Sequence, residues 1–142
     1  MTKLVELSRS IGRLLLVWAI ASITIGLISL FSYPVSILAG IGLQAIIWGT
    51  IDAVIAAYIL VKQKEQSVEK IASTVYKNLY LDVVYQIVGV LIIVTLFQDP
   101  YLLGNGIGVI IQGFFLFVLD MYYYKALRSL ERETSDVSNM GS

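Results

Sequence analysis

The sequence predicts an all-α polytopic membrane protein, a bundle of four transmembrane helices made of two helical hairpins. Of its 142 residues, 58% are hydrophobic and 14% are charged, whereas a soluble domain has about 25% charged residues. Four apolar runs are each long enough to cross a hydrocarbon core about 30 Å thick. The Lys and Arg residues lie between these runs or at their ends.

The four predicted spans form a single domain over residues 1–130. They cover residues 11–31, 37–61, 78–97 and 104–124. Proline breaks the helix after spans 1 and 3, because it lacks a backbone N–H donor. Residues 62–77 are predicted to be a cytoplasmic loop with a short interfacial helix, since apolar residues recur there at helical spacing. The small polar residues 131–142 are predicted to form a disordered cytoplasmic tail.

Positive charge predicts the orientation of the spans. All ten Lys and Arg residues precede span 1, lie at its start, lie between spans 2 and 3, or follow span 4. The two proline turns contain none. Because short cytoplasmic loops are enriched in Lys and Arg, both termini are predicted to face the cytoplasm. The expected location is the cytoplasmic (inner) membrane, with the chain crossing it several times.

The composition excludes several kinds of protein. The chain has no Cys and no His, which excludes disulfides, thiolate catalysis and His-ligated zinc or haem. We therefore expect no cofactor and no metal. A net charge of zero, without a basic stripe, argues against a nucleic-acid partner. We find no catalytic motif, and the sequence predicts a protein that is not an enzyme.

The two halves of the chain resemble each other at an offset of 66 residues. The motif Leu-Phe-x-x-Pro ends at Pro34 and again at Pro100, and Gly-Ile-Gly occurs at 40–42 and at 106–108. Gene duplication explains this pattern, and so does the general likeness of apolar hairpins with proline turns. In either case spans 2 and 4 are predicted to occupy similar positions in the bundle.

Small residues in spans 2 and 4 are predicted to form helix-contact faces. Lipid supplies no hydrophobic force between helices, so that close backbone approach must hold them together. The predicted contact residues are Gly42, Ala45, Gly49, Ala53, Gly104, Gly108 and Gly113. The sequence leaves open whether these contacts form within one chain or between subunits.

Three carboxylates lie inside the predicted spans, where an ionisable side chain costs about 2.5–3.5 kcal/mol to insert. They are predicted to lie in the inner half of the membrane and, with neighbouring polar and aromatic side chains, to define a candidate polar cavity. Its residues are Asp52, Asp82, Asp120, Gln44, Gln86, Gln112, Trp48 and Arg13, with Trp18 as a second indole. Carboxylates and amide carbonyls suit a proton or a hard cation.

Three interpretations of these polar residues remain open. In a structural role, Arg13 pairs with Asp82 or Asp120, and interhelical hydrogen bonds worth about 0.6 kcal/mol each fix the helix register. In the second, the carboxylates surround one pathway for a proton or a solute. In the third, they bind a lipid or a small molecule. Charge placement separates the first two, because a pathway needs the carboxylates together and a structural role needs a partner for each.

Three motifs in spans 2, 3 and 4 combine the carboxylates with nearby small and aromatic residues. The motifs are Trp48-Gly49-x-Ile51-Asp52-x-x-Ile55-Ala56, Leu81-Asp82-x-x-Tyr85-x-x-x-Gly89 and Gly106-x-Gly108-x-x-x-Gln112-Gly113-x-Phe115-Leu116-x-x-x-Asp120. They resemble an uncharacterised prokaryotic family of small four-helix integral membrane proteins, a domain of unknown function. The resemblance implies the fold and the placement of the polar residues, and it implies no activity. The family usually has Asn where this chain has Asp52.

Taken together, these features favour a non-enzymatic interaction or assembly module that oligomerises in the membrane. The small-residue faces, the short outer turns and the absence of a catalytic motif support this prediction. Its expected partners are the lipid bilayer and either a second copy of the chain or another membrane protein. The alternative is a small proton-coupled or cation transporter, or a channel, that uses the intramembrane carboxylates.

Overall fold

The protein is a bundle of four helices, described over residues 3–61 and 67–141 by a computed structural model. The helices are α1 (Lys3–Ser32), α2 (Ile37–Val61), α3 (Val68–Leu96) and α4 (Pro100–Met140). Each is long and apolar enough to cross a membrane. The predicted all-α class and its four helices are therefore confirmed.

Polar side chains cap the starts of three helices. Ser36, Ser67 and Asp99 each accept a hydrogen bond from the backbone N–H three residues later, which satisfies a donor that the first turn leaves free. Pro100 follows Asp99 at the start of α4, where its missing N–H breaks no helical hydrogen bond. These caps fix where the chain turns between spans.

Two helices extend beyond the predicted spans. Residues 68–77, predicted to be a short interfacial helix, are the first turns of α3. Residues 131–140, predicted to be disordered, continue α4, so that prediction is wrong for them. No proline or glycine interrupts residues 114–140, and ion pairs of Glu131 with Arg128 (2.7 Å) and of Glu133 with Lys3 (3.1 Å) join these exposed turns to their neighbours. Residues 62–66 and 142 lie outside the described residues.

Helix α4 is the centre of the bundle. It forms a hairpin with α3, packs beside α2, and makes a smaller contact with α1, which in turn forms a hairpin with α2. Helices α2 and α4 run in the same direction and cross near their first turns. A Cβ atom at Gly40 would collide with the Tyr101 carbonyl, and one at Gly104 with the Ile37 carbonyl. Glycine at this crossing therefore allows the two hairpins to meet.

Glycine contacts show a structural repeat between the hairpins. A Cβ at Gly42 would lie 2.7 Å from the carbonyl oxygen of Gly26 in α1, and one at Gly106 would lie 3.2 Å from that of Gly89 in α3. Gly42 and Gly106 thus occupy equivalent positions, since each lies close to a backbone carbonyl of the first helix in its own hairpin. They are 64 residues apart.

The same 64-residue offset relates two further glycine pairs. Gly40 and Gly104 lie at the crossing of α2 and α4, and Gly49 and Gly113 face the first helix of their own hairpins. The offset of 66 read from the turns does not match equivalent contacts, because it pairs Gly42 with Gly108, which faces α2. Spans 2 and 4 do occupy similar positions, but with a shift of two residues.

The buried apolar core lies at the end of the bundle where α1 and α3 begin. We call this the core end; its buried residues are Ile11, Leu15, Ala56, Ala72, Val75, Leu119, Tyr123 and Leu127. Elsewhere many large apolar side chains point outward, such as Phe31 at 78% exposure. A soluble monomer rarely exposes so much apolar surface, so these faces are suited to lipid.

Candidate functional site

The three carboxylates of the predicted spans come from three helices and lie together. The carboxyl groups of Asp82 and Asp120 lie close enough to share a hydrogen bond, and Asp52 is close enough to interact electrostatically with both. Asp52 is 1% exposed and Asp82 is 4% exposed, while Asp120 is half-buried. Ionised carboxylates only accept hydrogen bonds, so a bond within this pair would require one of the two groups to be protonated. We call these three residues the carboxylate cluster.

Three oxygen atoms of the carboxylate cluster lack a hydrogen-bond partner among the described residues. They are both carboxyl oxygens of Asp52 and Oδ2 of Asp82. Buried polar atoms in proteins almost always have a partner, and an unpaired one costs about 1–3 kcal/mol. A purely structural role does not account for these atoms, because they form no contact that would fix the helices.

Arg13 lies outside the carboxylate cluster. Its side chain is exposed on α1, and no ion pair joins it to Asp82 or Asp120 within residues 3–61 and 67–141. The expected pairing of Arg13 with Asp82 or Asp120 is therefore not present there. Arg13 follows the first turns of α1, from which a long basic side chain can extend to the polar interface instead of into the bundle.

The predicted amide side chains lie beside the cluster, toward the end where α2 and α4 begin. Gln112 accepts a hydrogen bond from the Trp18 indole N–H at 2.9 Å and donates one to the Ser22 hydroxyl at 3.4 Å. Gln86 donates to the Ile110 carbonyl at 3.2 Å. These amides, unlike the Asp52 carboxyl, have partners of their own.

Gln44 has a partner that the sequence did not indicate. Its amide donates to Asn105 at 2.8 Å, and Asn105 in turn donates to the Tyr101 carbonyl at 2.9 Å. The contact joins α2 to α4 next to the glycine crossing. Asn105 precedes Gln112 by seven residues and so shares its helix face. This spacing in the sequence could have predicted Asn105 as a further polar residue of the site.

Aromatic side chains separate the amides from the carboxylate cluster. Trp18 stacks on Phe115, with ring centroids 3.8 Å apart and planes 7° from parallel. Trp48 meets the edge of Tyr85 at a centroid distance of 4.7 Å. Trp48 is one turn from Asp52, and Tyr85 is one turn from Asp82. This second pair therefore lies within one helical turn of the cluster.

On the opposite side a tyrosine connects the carboxylate cluster to the core end. Tyr123 lies one turn beyond Asp120 and is near enough to interact with it electrostatically. Its hydroxyl forms a hydrogen bond of 2.9 Å with that of Ser8 in α1. Tyr123 is 8% exposed and Ser8 is half-buried. The candidate site predicted from the sequence contains neither residue. The three-residue spacing from Asp120 to Tyr123 could have indicated that Tyr123 lies beside the carboxylate.

The predicted contact glycines all face other helices of the same chain. Besides the contacts already described, a Cβ at Gly108 would lie 2.7 Å from Gln44 in α2, and one at Gly113 would lie 2.6 Å from Gln86 in α3. Ala45 is buried and Ala53 is half-buried. For the glycines, the structure answers the question that the sequence left open, since these contacts form within one chain.

The carboxylate cluster does not form a metal cage. Within residues 3–61 and 67–141, no group of three or more acidic residues, cysteines or histidines is arranged to hold a metal ion. Asp82 and Asp120 are instead close enough to share a proton between their carboxyl groups.

These features define the class of the protein: an all-α bundle of four membrane-length helices around a buried carboxylate cluster. A family model matches residues 14–121. The chain belongs to that family, a family of unknown function (DUF6992), and its predicted membership of an uncharacterised family is confirmed. No curated protein and no solved structure matches the chain.

Proposed function

We propose that this protein binds and transfers protons in the membrane through the carboxylate cluster, as a small proton channel or a proton-coupled transporter. The observation that carries the proposal is the meeting of three carboxyl groups from three helices, three of whose oxygens have no hydrogen-bond partner among the described residues. Ionisable residues inside membrane spans typically mark proton relays and ion pathways.

The arrangement favours a proton pathway over a structural role on the criterion of charge placement. A structural role needs a separate partner for each carboxyl group, and the nearby amides Gln86 and Gln112 do have such partners. The Asp52 carboxyl has none among the described residues. Moving protons across a membrane converts no substrate into a product, so the protein remains non-enzymatic in this proposal.

An interaction or assembly module that oligomerises in the membrane stays a prediction. It was motivated by small-residue faces that a second copy could use. Gly42, Gly49, Gly104, Gly108 and Gly113 are occupied by contacts within the chain. We therefore place the proton pathway first.

Asp120→Asn is expected to reduce proton flux by about 10²-fold, which is the contribution expected of one positioned acid or base. Asparagine keeps the shape of the side chain but cannot carry the shared proton. Purified protein is placed in lipid vesicles with a trapped pH indicator, and a potassium diffusion potential drives the protons.

Asp99→Asn is the matched control for this experiment. It makes the same chemical change at an exposed residue, the cap of α4, and asparagine caps helices as well as aspartate does. Its flux should equal that of the wild type. Wild-type vesicles that conduct no faster than empty ones would contradict the proposal, as would an Asp120→Asn variant with undiminished flux.

We further propose that both termini face the cytoplasm and that the protein resides in the cytoplasmic membrane, from the charge distribution. The chain contains no cysteine, so single cysteines can be labelled without background. Cysteines at Ser32 and Gln98, in the proline turns, should react with an impermeant thiol reagent added to intact cells. A cysteine at Gln66 should react only after lysis. The opposite labelling pattern would reverse the orientation.

A further inference from the structure

Two hydroxyl groups extend the polar interior from the carboxylate cluster toward the core end. Tyr123 lies one turn beyond Asp120 on α4, so the two side chains are neighbours on one face of the helix, and the Tyr123 hydroxyl is hydrogen-bonded to that of Ser8. We propose that Tyr123 and Ser8 form a relay that exchanges protons between the carboxylate cluster and water at the core end. The inference rests on the proposed function of the cluster and names its route of access.

The surroundings of the two hydroxyls favour this route. The core around Tyr123 is apolar, with Leu119 and Leu127 on the same helix and Ile11 on α1. Water enters such packing poorly, because a buried water needs about three polar partners. The phenol oxygen of Tyr123 lies within this apolar layer, so it offers the proton a path where bulk water does not enter. Ser8, being half-buried, completes the path toward solvent.

The other side of the cluster is less suited to proton exchange. Trp18 stacked on Phe115, and Trp48 against Tyr85, present ring faces and edges there. The indole N–H of Trp18 is already donated to Gln112. An indole N–H is a donor only and cannot accept a proton in a relay. The hydrogen-bonded hydroxyl pair of Tyr123 and Ser8 therefore favours exchange with the core end.

The transfer balances in atoms and charge. The O–H bond of protonated Asp120 breaks as its proton binds the phenol oxygen of Tyr123. The phenol releases its own proton to the hydroxyl oxygen of Ser8, and Ser8 releases one to water. Both hydroxyl groups end neutral, and the cluster retains one negative charge. Since each hydroxyl is both a donor and an acceptor, the reverse sequence reloads Asp120.

Tyr123→Phe tests the relay, because it removes one oxygen atom and keeps the ring that packs in the core. Tyr124→Phe is the matched control, since the ring of Tyr124 lies 5.8 Å from that of Tyr76 and outside the relay. Two quantities are measured in the same lipid. One is proton flux into vesicles. The other is the rate at which the infrared carbonyl band of the protonated cluster shifts after transfer to D₂O, with the band assigned by its loss in Asp120→Asn.

We expect Tyr123→Phe to slow both rates by about 10²-fold, and Ser8→Ala to slow both as well, while Tyr124→Phe matches the wild type. Undiminished carbonyl exchange in Tyr123→Phe would overturn the relay and leave the proposed proton function standing if the wild type conducts. If the wild type conducts no protons but Tyr123→Phe still slows carbonyl exchange, the relay is supported and transport is rejected. Absence of the carbonyl band from the wild type would overturn both. Should Tyr123→Phe not fold, undiminished exchange in Ser8→Ala overturns the relay.

Discussion

Gly104→Leu is expected to remove most of the stability of the bundle. A Cβ atom at Gly104 would collide with the backbone carbonyl of Ile37, and the Ile37 Cα would lie 2.9 Å away. Because these atoms belong to the backbone, relief requires α2 and α4 to separate. Overpacking costs about 1–3 kcal/mol when side chains can adjust, and more when the backbone must move. Thermal unfolding followed by circular dichroism in detergent measures the loss.

Gly49→Leu should have a smaller effect. The atom nearest to its new Cβ is Cγ1 of Ile23, at 2.9 Å, and this flexible side chain can move. We expect a cost of about 1–3 kcal/mol without a change in sedimentation, because the contact lies within the chain. Ala57→Leu adds the same bulk to an exposed face of α2 and is the control.

Two outcomes would contradict this description of the bundle. One is a Gly104→Leu variant that unfolds at the same temperature as Ala57→Leu, since the α2–α4 crossing would then not be close. The other is a Gly49→Leu variant whose oligomeric state changes. That result would indicate that the small-residue face of α2 forms an interface between copies of the chain, and it would favour the assembly module.

The number and type of the helices could be predicted because the hydrocarbon core sets the length of an apolar span. Their ends could not be predicted equally well. Helix α1 begins at Lys3 and α4 continues to Met140, well outside the apolar runs. Hydropathy does not register helical turns in water, where hydrogen bonds and ion pairs such as that of Lys3 with Glu133 hold the polar residues.

The sequence predicted which residues belong to the candidate site, but not which side chains they contact. The periodicity of one helix tells which side chains share a face, but not which helix that face meets. The charges of Arg13 and Asp82 suggested a pair, yet the arginine is exposed. Ser8 and Tyr123 meet across 115 residues of sequence, and no local pattern connects them.

The repeat between the hairpins separates the scaffold from the site. At the 64-residue offset, glycines match glycines, but Asp52 corresponds to Leu116 and Asp120 to Ala56. The second hairpin thus packs with an apolar residue where the first has a buried carboxyl. Helix packing of this kind does not require Asp52. Buried groups that reduce stability without a structural need are typical of functional sites.

Asp52→Leu is therefore expected to stabilise the protein while it impairs proton flux. Leucine is the residue at the equivalent position of the second hairpin, and it removes two unpartnered oxygens from the interior. The gain should be about 2 kcal/mol, since an unpaired buried polar group costs about 1–3 kcal/mol. A higher melting temperature together with a lower flux in the same lipid is the expected result.

Asp52→Asn separates the charge of this residue from its shape. Asparagine is nearly isosteric but cannot ionise, so its melting temperature should stay close to that of the wild type while its flux falls with that of Asp52→Leu. A role in holding the helices together makes the opposite prediction, because Asp52→Leu would then lower the melting temperature and Asp52→Asn would leave every property unchanged. Equal flux in the wild type and Asp52→Asn would eliminate an essential charge at this position and leave proton transfer to the neighbouring carboxyl groups of Asp82 and Asp120.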